Sequence, residues 1–419
     1  MTATTPTQTT PAPLGHLAAV RFLQYGAVRL DPRRNGLNLV RLILAYMVLV
    51  AHGWYLSGDG VGPHYGGENI GGWAVYGFFA ISGYLITGSR LTKSLGEYIV
   101  HRIARIFPAF LICLVVTAFV FAPLGYWDAH HSLDGFLTTA TSPLQYVIGN
   151  ATLRMNAYDV AGTPSTVPYL GAWDGSLWSL YYEFMCYVVV AALACIGFVK
   201  RSPWGLGIAL AISIALQAKI AWLGPYIQGN IDMVFLIRLL PFFLAGGLLY
   251  MIRDRLVLTW PAAVVALGVA LLLVKVVDGY GAQLASPLLA YFILWFGAAL
   301  PCPDLIRKND ISYGIYIYAF PVQQVLALGP VESWNLGLYD LIAALMTAPL
   351  AIASWIIVER PVMRRARRST SHSTMAPPRR EPEVQTSPAP APRVQSDGIA
   401  VSGQRHDAPV QAPVSTPTT

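Results

Sequence analysis

Residues 37–55 read LNLVRLILAYMVLVAHGWY, an apolar stretch long enough to cross a membrane that contains two ionisable side chains, Arg41 and His52. Eleven positions of an α-helix amount to three turns plus about 20°, so both side chains are predicted on one helix face, about 16 Å apart along the axis. Ionisable groups are costly in a bilayer and normally line a protein interior or an aqueous cavity. The pair is therefore the first indication of a functional site.

The composition is that of an integral membrane protein. Of the 419 residues, 55% are hydrophobic and only 12% are charged, whereas soluble domains contain about 25% charged residues. The four cysteines are scattered, without zinc-ligand spacing or a disulfide framework, so no metal site is predicted. No nucleic-acid partner is expected.

Ten apolar stretches predict an all-α membrane protein with about ten transmembrane helices. They lie at roughly 37–56, 72–89, 102–122, 176–197, 204–223, 232–252, 260–277, 285–301, 311–328 and 338–358. The chain contains no internal repeat, which disfavours a transporter built from inverted repeats.

Lysine and arginine residues predict the orientation of these helices. Alternate loops contain pairs such as Arg90 and Lys93, or Arg307 and Lys308, whereas the loops between them contain almost none. Cytoplasmic loops are enriched in these residues. Both termini are therefore expected in the cytoplasm of a multi-pass protein of the cell membrane.

Three regions are predicted along the chain: a cytoplasmic N-terminal segment at 1–34, a transmembrane domain at 35–361 and a disordered cytoplasmic tail at 362–419. The tail is rich in Pro, Ser, Thr, Ala and Gln with hardly an aromatic residue, so it cannot build a core. The loop at 123–175 is the one long extracytoplasmic segment, long enough to cover a cavity or contact a substrate.

His52 has two interpretations. It could be a packing histidine bonded to a carbonyl oxygen or to Tyr46 or Tyr55. It could instead be a general base or nucleophile, because neutral imidazole is well matched to proton transfer near pH 7. Glu183, in GSLWSLYYEFMCY, is expected at a similar depth and favours the second interpretation. If its carboxylate accepted the His52 Nδ1 proton, it would orient the ring and stabilise the imidazolium.

Arg102 and Arg105, in EYIVHRIARIFPAF, share one helix face at the start of the third span. They could simply anchor the helix on the cytoplasmic side. Alternatively, two guanidinium groups near a helix N-terminus suit a pyrophosphate or a 3′-phosphate, and Lys93 and His101 add positive charge nearby.

Two further arginines each have two possible roles. Arg41 could snorkel to the cytoplasmic interface, or it could line a path from the arginine cluster towards His52. Arg238, in IDMVFLIRLLPFF, is favoured as a structural ion-pair partner of Glu183, and it could also donate to a developing oxyanion.

Two other motifs predict structural roles. The small residues Ser82 and Gly83 are expected to let two helices pack closely. Glu359, in IIVERPVMRR, ends the last span and is interpreted as an interfacial cap for the neighbouring arginines.

Together, these segments between residues 35 and 361 resemble the acyltransferase-3 family of membrane O-acyltransferases. The first helix has Arg41 and His52 at the family's Arg…His spacing. The other similar segments are FFAISGYLI at 78–86, HRIARIFP at 101–108, WSLYYEF at 178–184, RLLPFFLAGGLL at 238–249 and ERP at 359–361. Several such segments in the same order are hard to obtain by chance.

The resemblance implies transfer of an acyl group, with acetyl favoured, from cytosolic acyl-CoA to a hydroxyl of an extracytoplasmic glycan or glycolipid. Acyl-CoA would be a co-substrate, with no permanently bound cofactor. By the same resemblance His52 is the essential histidine, and Arg102 and Arg105 lie nearest the CoA phosphates. The rival interpretation is a proton-coupled exporter of an anionic glycolipid or small acid, whose intramembrane charges would form a relay.

Overall fold

The computed structural model describes residues 26–374 except 33, 228 and 331–333. Within these residues the protein is mostly helical, and its one small sheet is a hairpin. Strand β1 (His64–Tyr65) pairs antiparallel with β2 (Glu68–Asn69), so that His64 is opposite Asn69. The prediction of an all-α architecture is confirmed in this part of the chain.

Ten helices coincide with the ten apolar stretches, and an eleventh follows them. They are α1 (Leu37–Leu56), α2 (Ile70–Thr92), α3 (Leu95–Val116), α4 (Trp178–Leu193), α5 (Pro203–Ala218), α6 (Ile231–Met251), α7 (Trp260–Val276), α8 (Ser286–Ala299), α9 (Ser312–Ala327), α10 (Leu336–Ala353) and α11 (Arg360–Thr374). Short helices lie at Ala122–His130, Pro143–Asn150, Gly197–Arg201, Ile220–Leu223, Gly281–Leu284 and Asp304–Lys308, with π-helical turns at Thr117–Phe121 and Ser354–Glu359 and a 3₁₀ turn at Phe136–Thr138.

Five helical segments of the described chain are long and apolar enough to cross a membrane. They are Leu37–Leu56, Ile70–Thr92, Leu95–His130, Ile231–Met251 and Leu336–Thr370. Helices α4, α5, α7 and α8 are apolar but shorter, at 10–17 residues. The count of ten spans and the cytoplasmic location of the termini therefore stay predictions.

The C-terminal boundary of the helical region was predicted wrongly. A disordered tail was expected from residue 362, but α11 continues to Thr374. Its residues pack against α3, and the Thr370 hydroxyl lies 3.2 Å from His101 Nε2. Composition alone gave no sign of this tertiary contact. The rest of the predicted tail, from residue 375, and most of the predicted segment at 1–34 lie outside the described residues.

Local sequence fixes where α3 begins and thus where its arginines lie. The Ser94 hydroxyl accepts a hydrogen bond from the Glu97 backbone N–H at 3.3 Å, and the Glu97 carboxylate accepts one from the Ser94 N–H at 3.1 Å. This reciprocal capping satisfies two backbone donors at the helix start. Arg102 and Arg105 follow two and three turns later.

Small residues allow α2 and α6 to pack in close contact. A Cβ atom at Gly83 would collide with the Phe243 backbone, and one at Gly246 would collide with the Ala80 backbone. The predicted packing role of Gly83 is confirmed. Its neighbour Ser82 has a polar contact as well, described below.

Helix α9 lies at the centre of the bundle and packs against α1 and α10. Every residue from Ser312 to Gln324 is buried, including three tyrosines and two glutamines. Buried polar side chains need hydrogen-bond partners inside the protein. This helix therefore places polar side chains in the core, between the two ends of the bundle.

Candidate active site

A strongly basic cavity of about 400 Å³ opens where α1 and α3 begin. Its charged or titratable lining residues are Arg41, Lys93, His101, Arg102, Arg105, Arg307, Lys308, Arg367 and Asp310. The predicted arginine cluster, its neighbours Lys93 and His101, and Arg41 are thus brought together. Arg307, Lys308 and Arg367 were not predicted as part of this cluster. They reach the cavity through tertiary folding.

Arg102 is the arginine of this cavity best placed to bind an anion. Its guanidinium carbon lies 6.0 Å from the Tyr98 ring centroid and 5.8 Å from that of Tyr187. It forms no ion pair within the described residues, and its buried Nε has no hydrogen-bond partner there. The two rings hold the guanidinium in place while its donors stay available.

Arg105 already has two acidic partners. It donates to Glu359 at 2.7 Å and to Asp310 at 2.6 Å, and Arg41 also forms an ion pair with Asp310. We call these four residues the ion-pair network. Arg105 was predicted as a phosphate ligand equal to Arg102, but its charge is compensated here. The charge of Arg41 is compensated by the same Asp310, and its snorkelling interpretation stays a prediction.

Glu359 was also interpreted wrongly. It is 1% exposed and pairs with Arg105 of α3, rather than capping the arginines that follow it in sequence. An acid buried to this extent requires a nearby cation, and Arg105 supplies it from 254 positions away.

Lys93 adds to the positive potential of the cavity. Its Nζ lies 2.6 Å from His101 Nδ1. Partial burial lowers the pKa of the Lys93 ammonium, and the charges of Arg102 and Arg367 lower this pKa further. An anionic ligand would relieve this repulsion, so the cavity is suited to a polyanion.

Arg41 also lines a second, much smaller cavity of about 30 Å³ deeper in the bundle. Glu183, Ser179 and Tyr316 line the same space. Because Arg41 borders both cavities, it lies between the basic opening and the small cavity. His52 lines neither of them, so the path to His52 stays a prediction.

Glu183 is fixed by neighbouring hydroxyl groups. Its Oε1 accepts hydrogen bonds from Ser82 Oγ and Tyr187 Oη, both at 2.6 Å. Neither partner was predicted. The SG motif of α2 therefore has a polar role in addition to its close packing against α6.

His52 lies near the opposite end of α1, among aromatic rings. Its ring centroid is 5.0 Å from that of Phe320 and 5.6 Å from that of Tyr55, both nearly edge-on. Its buried Nδ1 has no hydrogen-bond partner among the described residues. The predicted Nδ1–Glu183 hydrogen bond is therefore wrong in this structure, since Glu183 is satisfied by Ser82 and Tyr187.

The unpaired Nδ1 also disagrees with a purely structural histidine. A packing role would have placed a carbonyl or tyrosine oxygen on this nitrogen, because a buried unpaired polar group costs about 1–3 kcal/mol. A group left unpaired at that cost calls for an explanation. A substrate hydroxyl that bonds to the ring during the reaction would provide one.

Arg238 does not pair with Glu183 either. It forms an ion pair with Glu68 of β2, just before α2, and its Nε donates to the Tyr76 hydroxyl at 3.0 Å. The predicted ion-pair role is confirmed, but the predicted partner was wrong. Glu68 lies in strand β2, outside the helices, so depth along the helices gave no reason to expect this pair.

Aromatic residues of α9 connect the regions described so far, and the sequence prediction missed them. Tyr313 lies under the Arg105 guanidinium, 5.4 Å from ring centroid to Cζ. The Tyr316 hydroxyl bonds to Ser179 at 2.5 Å, and Phe320 contacts His52. Their spacing of three and four places them on one helix face over about 10 Å. That spacing, in SYGIYIYAF, is the signal that could have identified them.

Comparisons with known proteins identify the family of the chain. A family model described as an acyltransferase domain (acyltransferase-3) matches residues 34–358. An "O-acetyl transferase" of Shigella phage Sf6 is 29% identical over 350 residues, covering 80% of this chain and 97% of the relative. "Nodulation protein 10" of Rhizobium leguminosarum bv. viciae is 28% identical over 369 residues, covering 79% of this chain and 94% of the relative. No solved structure matches the chain. The chain belongs to the acyltransferase-3 family, and its function is acyl transfer.

Proposed function

We propose that the protein moves an acyl group, with acetyl favoured, from acyl-CoA to a hydroxyl of a glycan or glycolipid on the far side of the membrane. One observation carries the proposal. A cavity suited to a polyanion and an unpaired imidazole lie at opposite ends of α1, and Arg41 lies between them. The printed name of the phage relative, an O-acetyl transferase, supports acetyl transfer to oxygen.

The basic cavity would bind the phosphates of acyl-CoA. Its volume of about 400 Å³ is typical of small-molecule sites, which span about 300–1,000 Å³. Arg102 would provide the principal charge-assisted hydrogen bonds, because it has no acidic partner among the described residues. Lys93 and Arg367 would add charge around it.

The acyl arm would pass Arg41 towards His52. Asp310 holds Arg41 and Arg105 together at the boundary between the two cavities. A bound phosphate would compete with Asp310 for these guanidinium groups and so loosen the ion-pair network. In an extended conformation the pantetheine arm can cover much of the roughly 16 Å between Arg41 and His52.

At the far end, His52 would act as general base. Its ring nitrogen would take the proton of the acceptor hydroxyl while that oxygen attacks the thioester carbonyl carbon. The tetrahedral intermediate would then expel the CoA thiolate, which takes up the proton from the imidazolium. A water-excluded site strengthens the charge stabilisation that this step needs. Glu183 would position Ser82 and Tyr187 beside the path, rather than hold His52.

The direct test is the release of CoA thiol by membranes that contain the protein. Acetyl-CoA should be consumed with equal amounts of free thiol and acylated glycan formed. A proton-coupled exporter would bind and move its cargo without breaking a thioester. Glycan export at an unchanged rate with no thiol release would contradict the proposal and favour the exporter.

A further inference from the structure

A third cavity, of about 650 Å³, lies at the His52 end of the bundle and is not used in the mechanism above. We call it the outer cavity. It is lined by the β-hairpin and α2, by α6, by the ends of α5 and α7, and by residues 277–283, which follow α7. At this volume it is the size of a site for a substantial organic ligand.

The charges of the outer cavity are balanced. Arg238 and Lys275 contribute two positive charges, and Glu68 and Asp278 contribute two negative ones. Arg238 and Glu68 also neutralise each other directly. The basic cavity has an excess of positive charge. The outer cavity has no excess of either sign, so it does not attract an anionic ligand. A neutral ligand fits the balance best.

The lining also provides hydrogen-bonding groups that are not fully used. Gln217 is 9% exposed, and its amide nitrogen donates to the Gly279 carbonyl at 3.2 Å. Its buried Oε1 has no partner among the described residues. An amide oxygen accepts hydrogen bonds and cannot donate them, so its ligand partner must be a donor. Carboxylates and phosphates are excluded as that partner, whereas a hydroxyl group is suitable.

Aromatic rings complete the lining. Tyr76 and Tyr280 both border the outer cavity. Tyr76 is held rigidly, because it stacks on Phe242 at 4.0 Å between centroids and binds Glu68 through its hydroxyl at 2.7 Å. Fixed rings together with amide and charged groups suit a ligand that has both hydroxyl groups and C–H faces. An acyl chain would leave Gln217 Oε1 unpaired.

From these features we propose that the outer cavity binds the neutral, hydroxyl-rich glycan portion of the acceptor. The inference rests on the proposed function, since it assigns the substrate class to the same reaction. The start of α2 forms one wall of the cavity, and the opposite side of this segment contacts α1 beside His52. A Cβ at Gly71 would meet Ala51 at 2.8 Å. The sugar that carries the reacting hydroxyl would therefore extend from the cavity past the start of α2 to reach the imidazole.

Two neighbouring valines provide a matched test. Val277 lines the outer cavity, whereas Val276 is 68% exposed and does not. Val277→Trp should fill the cavity and raise the acceptor KM about tenfold or more, with the slow hydrolysis of acetyl-CoA by water unchanged. Val276→Trp should leave both the acceptor KM and the rate of acetyl-CoA hydrolysis at their wild-type values. Equal acceptor KM values for the two variants would overturn the proposal.

A second measurement does not depend on catalysis. Val277 or Val276 is replaced by photoreactive benzoylphenylalanine in the full chain, in cells that make their own envelope glycans. After irradiation the purified protein is analysed for covalently attached monosaccharides. A sugar attached to the protein that has the photoreactive residue at 277, and none attached when it is at 276, supports the proposed glycan site. Phospholipid alone, or nothing, at 277 overturns it. Failure of acyl transfer in the wild-type protein would instead overturn the proposed function, whichever way this cross-linking result falls.

Discussion

At the residue scale, several of the ionisable groups found in the sequence have unexpected partners. His52 lacks the acid expected on Nδ1, and Glu183 binds Ser82 and Tyr187 instead. Depth along a helix could be predicted from residue number. The direction in which a side chain points across the bundle could not, because it depends on how the helices pack.

The contrast between the two clustered arginines gives the first prediction. Arg102→Ala should raise the KM for acetyl-CoA about tenfold to a hundredfold with little change in kcat, because a charge-assisted hydrogen bond contributes about 1.5–3 kcal/mol. Steady-state kinetics at varied acetyl-CoA measures this. A fall in kcat at unchanged KM would contradict the role of Arg102. Arg255→Ala, which removes an arginine outside the basic cavity, is the matched control.

Arg105→Ala should act on stability instead. It would leave the buried Glu359 without its cation, and breaking a buried pair in this way costs about 3–5 kcal/mol. The loss is measured by thermal unfolding in detergent. The double variant Arg105→Ala/Glu359→Gln should recover part of it. A fully stable Arg105→Ala protein with a raised KM for acetyl-CoA would mean that Arg105 binds phosphate after all.

Lys93 predicts a pH dependence. Partial burial and the neighbouring arginines lower its pKa below that of an ordinary lysine. Below this pKa the ammonium attracts the phosphates, and above it the attraction is lost, so the KM for acetyl-CoA should rise with alkaline pH. Lys93→Arg keeps the charge and should move this rise to higher pH. An identical alkaline profile for both proteins would exclude Lys93 from donor binding.

At the element scale, the long apolar runs predicted helices in the right places, because membrane-length apolar segments leave few other structures for the chain. Helix α11 was missed, since its basic and polar sequence resembles a tail. Helix α9 was placed correctly, but its function as a row of aromatic side chains was not recognised. The ion-pair network could not be predicted from the sequence, because Arg105 lies 205 positions from Asp310 and 254 positions from Glu359.

The α2–α6 contact gives a prediction at this scale. Gly83→Leu would push a side chain into the Phe243 backbone, and such overpacking costs about 1–3 kcal/mol. It should also displace Ser82 from Glu183, lowering activity together with the unfolding temperature. Gly268→Leu on α7, which has open space around it, is the matched control and should be tolerated. Equal stability of the two variants would contradict the tight packing.

At the scale of the whole molecule, the two ends of the bundle are chemically different. One end has a basic cavity suited to a polyanion, and the other has His52 and the charge-balanced outer cavity. The lysine and arginine pattern in the sequence predicted which end is basic. It could not predict the outer cavity, whose polar residues come from segments far apart in the sequence.

The central claim is that a thioester supplied at the basic end reacts at His52, at the other end. Inside-out vesicles from glycan-producing cells, given radiolabelled acetyl-CoA on their outer face, test it most directly. Wild-type protein and His64→Ala should label glycan inside the vesicles, and His52→Ala should lower the rate by about 10²–10⁴-fold at an equal protein level. Labelling by His52→Ala at the wild-type rate would contradict the account.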